Sequence, residues 1–255
     1  IHPVGACATA AVSVEEAVDK IAAGKASFVV AGGIDDISIE SVTGFGDMSA
    51  TADTAALAAK GIPERFYSRA GDLRRGGFIE GQRGGTVLLA RGDLAEERGL
   101  PAQSFADGAH TSIPAPGLGA LAAARGGRDS RLAGNLAALG VSADDISVVS
   151  KHDTSTNAND PNEAELHSLI AQALGRSEGN PLYVVSQKTL TGHSKGGAAL
   201  FQLAGLTQIF ASGLIPGNMA LDCMDPVFEE DSFLVWPRSP FQHEGVKAGL
   251  ISSLG

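Results

Sequence analysis

Apolar residues along this chain recur with two periods. Over residues 8–23, Ala10, Ala11, Val14, Ala17, Val18 and Ile21 follow the i, i+3, i+4, i+7 spacing of an amphipathic helix, and Gly24 suits its C′ position. Shorter continuous runs predict buried strands: Ser27–Ala31 closed by Gly32-Gly33, Thr86–Ala90, Ile146–Ser150, Leu182–Val185, Phe233–Trp236 and Ala248–Ser252. Helices are predicted at 128–139, at Asn162–Leu174 with Asp160-Pro161 as cap and first-turn Pro, and at Gly196–Ala211. Residues 42–85 read as irregular and Gly-rich. Helices alternating with short apolar strands predict an α/β protein layered with helices on both faces. A break at Gly99-Leu100-Pro101 divides it into a 1–98 half and a 99–255 half.

Composition narrows the function classes. The 255 residues carry 19 Lys+Arg against 29 Asp+Glu, a net charge of −10, so no electrostatic footprint for nucleic acid is present. Two Cys exclude a disulfide scaffold or a four-Cys zinc site and point to a reducing, cytoplasmic setting. No apolar run reaches the roughly 18–20 residues of a membrane-spanning helix. The chain begins at Ile1 without a Met and stops in the apolar run Leu250–Gly255, which leads us to expect a segment of a longer polypeptide.

Four residues carry candidate chemistry. Cys7 stands at the start of the 8–23 helix, where the dipole and free N–H groups favour thiolate, with Gly5, Ala6 and Ala8 leaving room for a substrate. His152 follows the 146–150 strand directly, at the kind of strand end where α/β sheets bind ligands, and the hydroxyls of Thr154 and Thr156 can fix its backbone. His193 repeats the arrangement beyond strand 182–185, with Lys188 five residues earlier to orient an imidazole or pair with Glu163. The bland readings are a buried Cys, two structural His and a solvated Lys, and Cys223 is left to that reading. Gly192-His193-Ser194-Lys195-Gly196 also fits the G-x-S-x-G nucleophile elbow of Ser hydrolases and acyltransferases, but SQKTLT separates it from its strand. Gly117-Leu118-Gly119-Ala120-Leu121-Ala122 fits a dinucleotide loop, but it follows Pro114-Ala115-Pro116 rather than a strand.

Assembled in order, these segments resemble the β-ketoacyl-acyl-carrier-protein synthases of the thiolase superfamily. The resemblance rests on G-A-C-A-T-A at Cys7, A-G-G at 31–33, R-x-G-G-F-I-E at 74–80, H-D-T-S-T at 152–156, N-D-P-N-E at 159–163, K-T-L-T-G-H-S at 188–194 and the terminal A-G-L-I-S-S-L-G. Lys151, Asp153, Asn157 and Lys195-Gly196-Gly197 make it most similar to the synthase domain of fused type I fatty acid synthases, fungal or actinobacterial. The resemblance implies a thiolase-like α/β/α/β/α fold lacking the start of its N-terminal half and cut before a Gly-Phe-Gly loop. It implies Cys7 as acyl acceptor, His152 and His193 as partners, Lys188 and Glu163 in support, and Phe78 at the acyl pocket. No metal or redox cofactor is implied. The implied partners are an acyl carrier domain, acyl and malonyl thioesters on phosphopantetheine, and a second copy in a homodimer within a larger synthase. Arg65, Arg69, Arg74 and Arg75 are candidates for carrier docking, and the many Gly are expected where a thioester slides past backbone.

Overall fold

A computed structural model describes residues 1–101 and 131–254. The 117–122 Gly pattern lies outside them. Two sheets dominate. Strands β1 (Phe28–Asp35) and β2 (Arg83–Ala90) form an antiparallel pair, Phe28 opposite Ala90 and Asp35 opposite Arg83. Strands β3 (Ile146–Ser150), β4 (Leu182–Val185), β6 (Leu234–Val235) and β8 (Ala248–Ile251) form a parallel sheet in the order β6-β4-β3-β8. Between them in sequence, β5 (Leu214–Ile215) and β7 (Phe241–Gln242) make a small antiparallel pair that the sequence reading missed. Two-residue strands carry too little periodicity to be read.

The parallel sheet is covered on both faces. Val149 and Val184 pack with Ala164 of α6 (Asn159–Ala173), together with Phe228 and Trp236. Their neighbours Val148 and Val185 point the other way, onto Leu206 and Ile209 of α8 (Ala198–Ser212). That alternation is the period-2 pattern of strands sandwiched between helices. Helix α6 starts three residues before the predicted position. Asp160 therefore lies inside it; Ala158 holds the N-cap position, and Thr156 Oγ1 accepts from Asn159 N at 3.0 Å just ahead of it.

The first sheet departs from expectation. β1 runs on through Gly32-Gly33 rather than ending there, and it is not fully buried: Val30 and Ile34 are 69% and 78% exposed, beside Leu88 at 60%. Among the described residues only one face is covered, by α1 (Thr9–Ala22) and α8 through Ala10, Ala199 and Leu200. Residues 42–85 are not wholly irregular either. They hold most of α2 (Ile39–Asp47) and all of α3 (Thr54–Ala59). Ser38 and Asp53 cap these helices by accepting from Ser41 N and Ala56 N, and such cap signals outweigh a Gly-rich composition. Three further helices are α4 (Gly92–Glu97), α5 (Arg131–Ala138) and the single turn α7 (Lys188–Thr191).

One glycine has a packing role in this fold. A Cβ on Gly33 would lie 2.4 Å from Gly196 O and 2.7 Å from Ala10 Cβ, so Gly33 lets β1, α1 and the 195–197 turn touch.

Candidate active site

Cys7 sits in a 3-10 turn, Ala6–Ala8, that leads into α1. Ala6 before it has φ +48°, in the left-handed region that non-Gly residues avoid, so the turn that presents the thiol is strained. Its hydrogen bonds hold it: Ala8 N donates to Gly5 O at 2.8 Å, and Gly5 N to Thr9 Oγ1 at 3.0 Å.

The two imidazoles come from loops at the carboxyl ends of β3 and β4, as parallel sheets place their ligand-binding groups. His193 is fixed by backbone pairing with the 79–81 segment: its N–H donates to Ile79 O at 2.7 Å, and its carbonyl accepts from Gly81 N at 3.1 Å. Its Nε2 lies 3.2 Å from Cys7 Sγ. The His152 ring stands edge-on to that of His193 at 5.2 Å between centroids, and the buried Phe78 ring abuts His193 from another side at 5.0 Å.

The support of His152 is built from charge. Glu163 is fully buried and accepts from His152 N at 2.5 Å, Asp153 N at 2.9 Å and Asn159 Nδ2 at 3.3 Å. Lys188 Nζ donates to His152 O and lies 3.2 Å from His152 Nδ1. Of the two expected roles for Lys188, orienting an imidazole or pairing with Glu163, the direct contact is with His152, and the Glu163 charge acts through space. Leu254 N donates to the same Nδ1 at 3.2 Å, so the proton of neutral His152 belongs on Nε2. Thr154 and Thr156 share a 2.9 Å hydroxyl contact beneath this loop.

Electrostatics sets the protonation states. Burial, with the Lys188 charge, lowers His152 to about 3, and the same two causes hold His193 well below the usual range. Both imidazoles are neutral near pH 7. Burial lowers Lys188 to about 8 although Glu163 and Asp153 oppose it. Burial works against the Glu163 charge, and Lys151 with His167 outweighs it, holding that carboxylate ionised. Cys7 behaves otherwise than its helix position predicts. Burial pushes the thiol up, Lys188 and Lys195 pull it down only in part, and Asp35 and Glu80 add to the rise. The resting group is a thiol, and His193 Nε2 is the acceptor within reach of its proton.

Among the described residues, Cys7, His152 and His193 place one donor atom each within 4.8 Å of one another. A cation there would meet the Lys188 ammonium at His152, so the set suits a nucleophile and two hydrogen-bond partners better than a metal.

Ser194 fares worse than Cys7. It is 0% exposed, its hydroxyl has no protein partner, and α7 separates it from β4, so it lacks the strand-to-elbow geometry and the access a nucleophile requires. His243, the imidazole downstream of it, packs on Tyr183 and Phe241. Cys223 is exposed.

The four arginines proposed for carrier docking differ in burial. Arg69 is fully buried between Asp72 and Asp222, Arg75 pairs with Asp225 at 2.7 Å, and Arg74 bridges Asp72 and Asp222. Arg69 and Arg75 are buried in these pairs, Arg74 is paired but partly exposed, and Arg65 is exposed, lying over Phe66.

Sequence reasoning missed the closing contacts. Ser253 Oγ donates to Cys7 O at 3.1 Å, and the buried Gln202 amide donates to Ser150, Lys151 and Ser252 carbonyls, tying the end of β8 to the site. No local pattern announces a Gln that bridges the ends of β3 and β8.

Fold and site together define the class: a thiolase-like α/β protein with a Cys–His–His centre. Residues 1–95 match the family "Beta-ketoacyl synthase, N-terminal domain" and residues 100–222 match "Beta-ketoacyl synthase, C-terminal domain". The fatty acid synthase alpha subunit stcJ of Emericella nidulans is 40% identical over 262 residues, covering 99% of this chain and 17% of the relative. The fatty acid synthase subunit alpha of Saccharomyces cerevisiae is 31% identical over 345 residues, covering 99% and 18%. This chain thus spans less than a fifth of either. Among solved structures, the noncanonical ketosynthase FabY from P. aeruginosa superposes with a TM-score of 0.75 at 25% identity, over 94% of this chain and 38% of that one. The ketosynthase from module 6 of the bacillaene synthase of Bacillus subtilis 168 gives 0.78 at 19% identity, over 94% and 41%. The chain belongs to the β-ketoacyl synthase family. No helix among the described residues is long and apolar enough to cross a membrane.

Proposed function

We propose that this chain carries the carbon–carbon bond-forming site of a ketoacyl synthase acting in fatty acid synthesis, as part of a multifunctional synthase in the cytoplasm. The observation that carries this reading is the 3.2 Å contact of Cys7 Sγ with His193 Nε2 beside a second neutral imidazole. In the first stage His193 takes the thiol proton and Cys7 attacks an acyl thioester. The Cys7 N–H supports the tetrahedral oxyanion, and the carrier thiol leaves with the proton. In the second stage the C–CO2 bond of a malonyl thioester breaks, and its electron pair enters the thioester as an enolate. Neutral His152, presenting Nε2–H because Leu254 N–H occupies Nδ1, donates to the enolate oxygen, and His193 joins it in its Nε2–H tautomer once Cys7 is acylated and no longer offers Nε2 a proton. The enolate carbon then attacks the acyl group, and the Cys7 thiolate departs and takes up from solvent the one proton that the overall condensation consumes. Lys188 and Glu163 hold the His152 loop in place, and Phe78 borders the acyl chain beside His193.

The thioester carbonyl is itself the electron sink, so this chemistry calls for no metal or redox cofactor. Substrates would arrive on the phosphopantetheine of an acyl carrier domain, and family resemblance favours a homodimer within the larger assembly. The 1–98 and 99–255 halves are proposed as the two thiolase-like repeats, a division supported by separate family matches on either side of it.

Malonyl decarboxylation provides the test. In the intact polypeptide carrying this chain, Cys7→Gln abolishes condensation and leaves CO2 release from malonyl carrier, while His152→Ala with His193→Ala removes both. Condensation that survives Cys7→Gln would overturn the reading.

A further inference from the structure

Two residues beyond His193 the backbone does something unusual. Lys195 has φ +36°, a strained value for a residue with a side chain, and its side chain is 8% exposed. Its Nζ forms an ion pair with Glu80, donates to Ser41 Oγ at 3.1 Å and lies 3.8 Å from Asp35 Oδ1. The same ammonium sits 5.5 Å from the centre of the Phe45 ring, which in turn packs edge-on to Phe78.

Each of these partners is also tied to the catalytic pair. Glu80 lies between Ile79 and Gly81, whose backbones hold His193 on both sides. Asp35 accepts from Gly196 N at 3.0 Å, and Gly196 packs against Thr9 at the start of the helix behind Cys7. Ser41 and Phe45 are one turn apart on α2, which is otherwise largely exposed. Lys195 thus joins the His193 loop, the end of β1 and α2 at one point. One ammonium here faces two carboxylates, and Glu80 Oε1 has no protein partner.

We propose that Lys195, clamped by Glu80 and Asp35, is a positioning residue for the Cys7–His193 pair, fixing the loop that carries His193 and balancing the carboxylate charge that faces the thiol. This deepens the condensing-enzyme reading and rests on Cys7 as its nucleophile. The charged and titratable groups acting on Cys7 are Lys188, Lys195, Asp35 and Glu80, with His193 in contact. Lys195 favours the thiolate, whereas Glu80 and Asp35 oppose it. A structural clamp and an electrostatic one therefore predict different things. Breaking the ion pair from either end loosens the loop alike, but removing its positive or its negative member moves the thiol in opposite directions.

The test uses the intact polypeptide and the pH profile of Cys7 alkylation by iodoacetamide, followed by peptide mass spectrometry. Lys195→Met is expected to move the alkylation midpoint to higher pH, Glu80→Gln to lower pH, and Lys195→Arg to leave it near wild type. Lys195→Met should also lower kcat for condensation by roughly ten- to hundredfold, the scale of a misplaced catalytic group, with KM for the carrier thioester little changed. Midpoints that stay fixed, or shift the same way in Lys195→Met and Glu80→Gln, overturn the proposal. If Lys195→Met does not fold, Glu80→Gln alone decides, because an unmoved or raised midpoint there is equally fatal. Failure of the parent reading is separate: wild-type Cys7 would then take no acyl group from an acyl thioester.

Discussion

The two sheets flanking the candidate site hold their functional groups by different means. On the parallel sheet, β3 and β4 are covered on both faces, and the groups beyond their ends are almost fully buried: Glu163, Lys188 and His193 expose no more than 1%. There the geometry is held by charge, since each buried ion is met by an opposite charge or by backbone dipoles. Among the described residues the β1–β2 pair has one face open, and the Cys7 turn packed against its covered side is held by shape: a strained Ala6, and Gly33 touching Gly196. The lesson is that one site combines an electrostatic frame for the two His with a steric frame for the nucleophile, so the two halves should fail differently.

The largest effect is expected from the electrostatic frame. Glu163→Ala strips two backbone N–H groups and the nearby Lys151 of their carboxylate. It should cost about 3–5 kcal/mol in urea-induced unfolding, the range for removing one partner of a buried charged cluster. The steric frame should break with less: Gly33→Ala places a methyl 2.4 Å from a carbonyl oxygen and should cost about 1–3 kcal/mol. In that variant Cys7 alkylation should change while the pH dependence of malonyl decarboxylation does not. That dependence probes the charged side. Lys188 keeps its ammonium below about pH 8 and loses it above, so decarboxylation should fall to half near pH 8 as pH rises. A flat profile to pH 9 would separate Lys188 from the reaction. The smallest effect belongs to the open face, where Val30→Thr should change stability by no more than about 0.5 kcal/mol.

The same contrast explains what could be read in the sequence. Strands β3 and β4 matched their apolar runs residue for residue, because a strand covered on both faces writes its burial as a continuous stretch. The run Ser27–Ala31 looked the same and was not: half of β1 faces outward, and hydropathy alone does not say which faces are covered. Cys7, His152, His193 and Lys188 stood out because strand ends, helix starts and family motifs are local. Their partners were opaque for the converse reason. Lys195 meets Glu80 across 115 positions of sequence, and Arg69 meets Asp222 across 153. The thiol was misjudged for a related reason: helix position is local and favours thiolate, while burial, which wins, is a property of the folded whole.

The account stands on Cys7 as the atom that accepts the acyl group. The most direct measurement incubates the intact native polypeptide with an acyl thioester, quenches it in acid and maps the adduct by peptide mass spectrometry. The account predicts one acyl group on Cys7, lost in Cys7→Ala and slowed in His193→Ala. An acyl group on the buried Ser194, or none on Cys7, would contradict it.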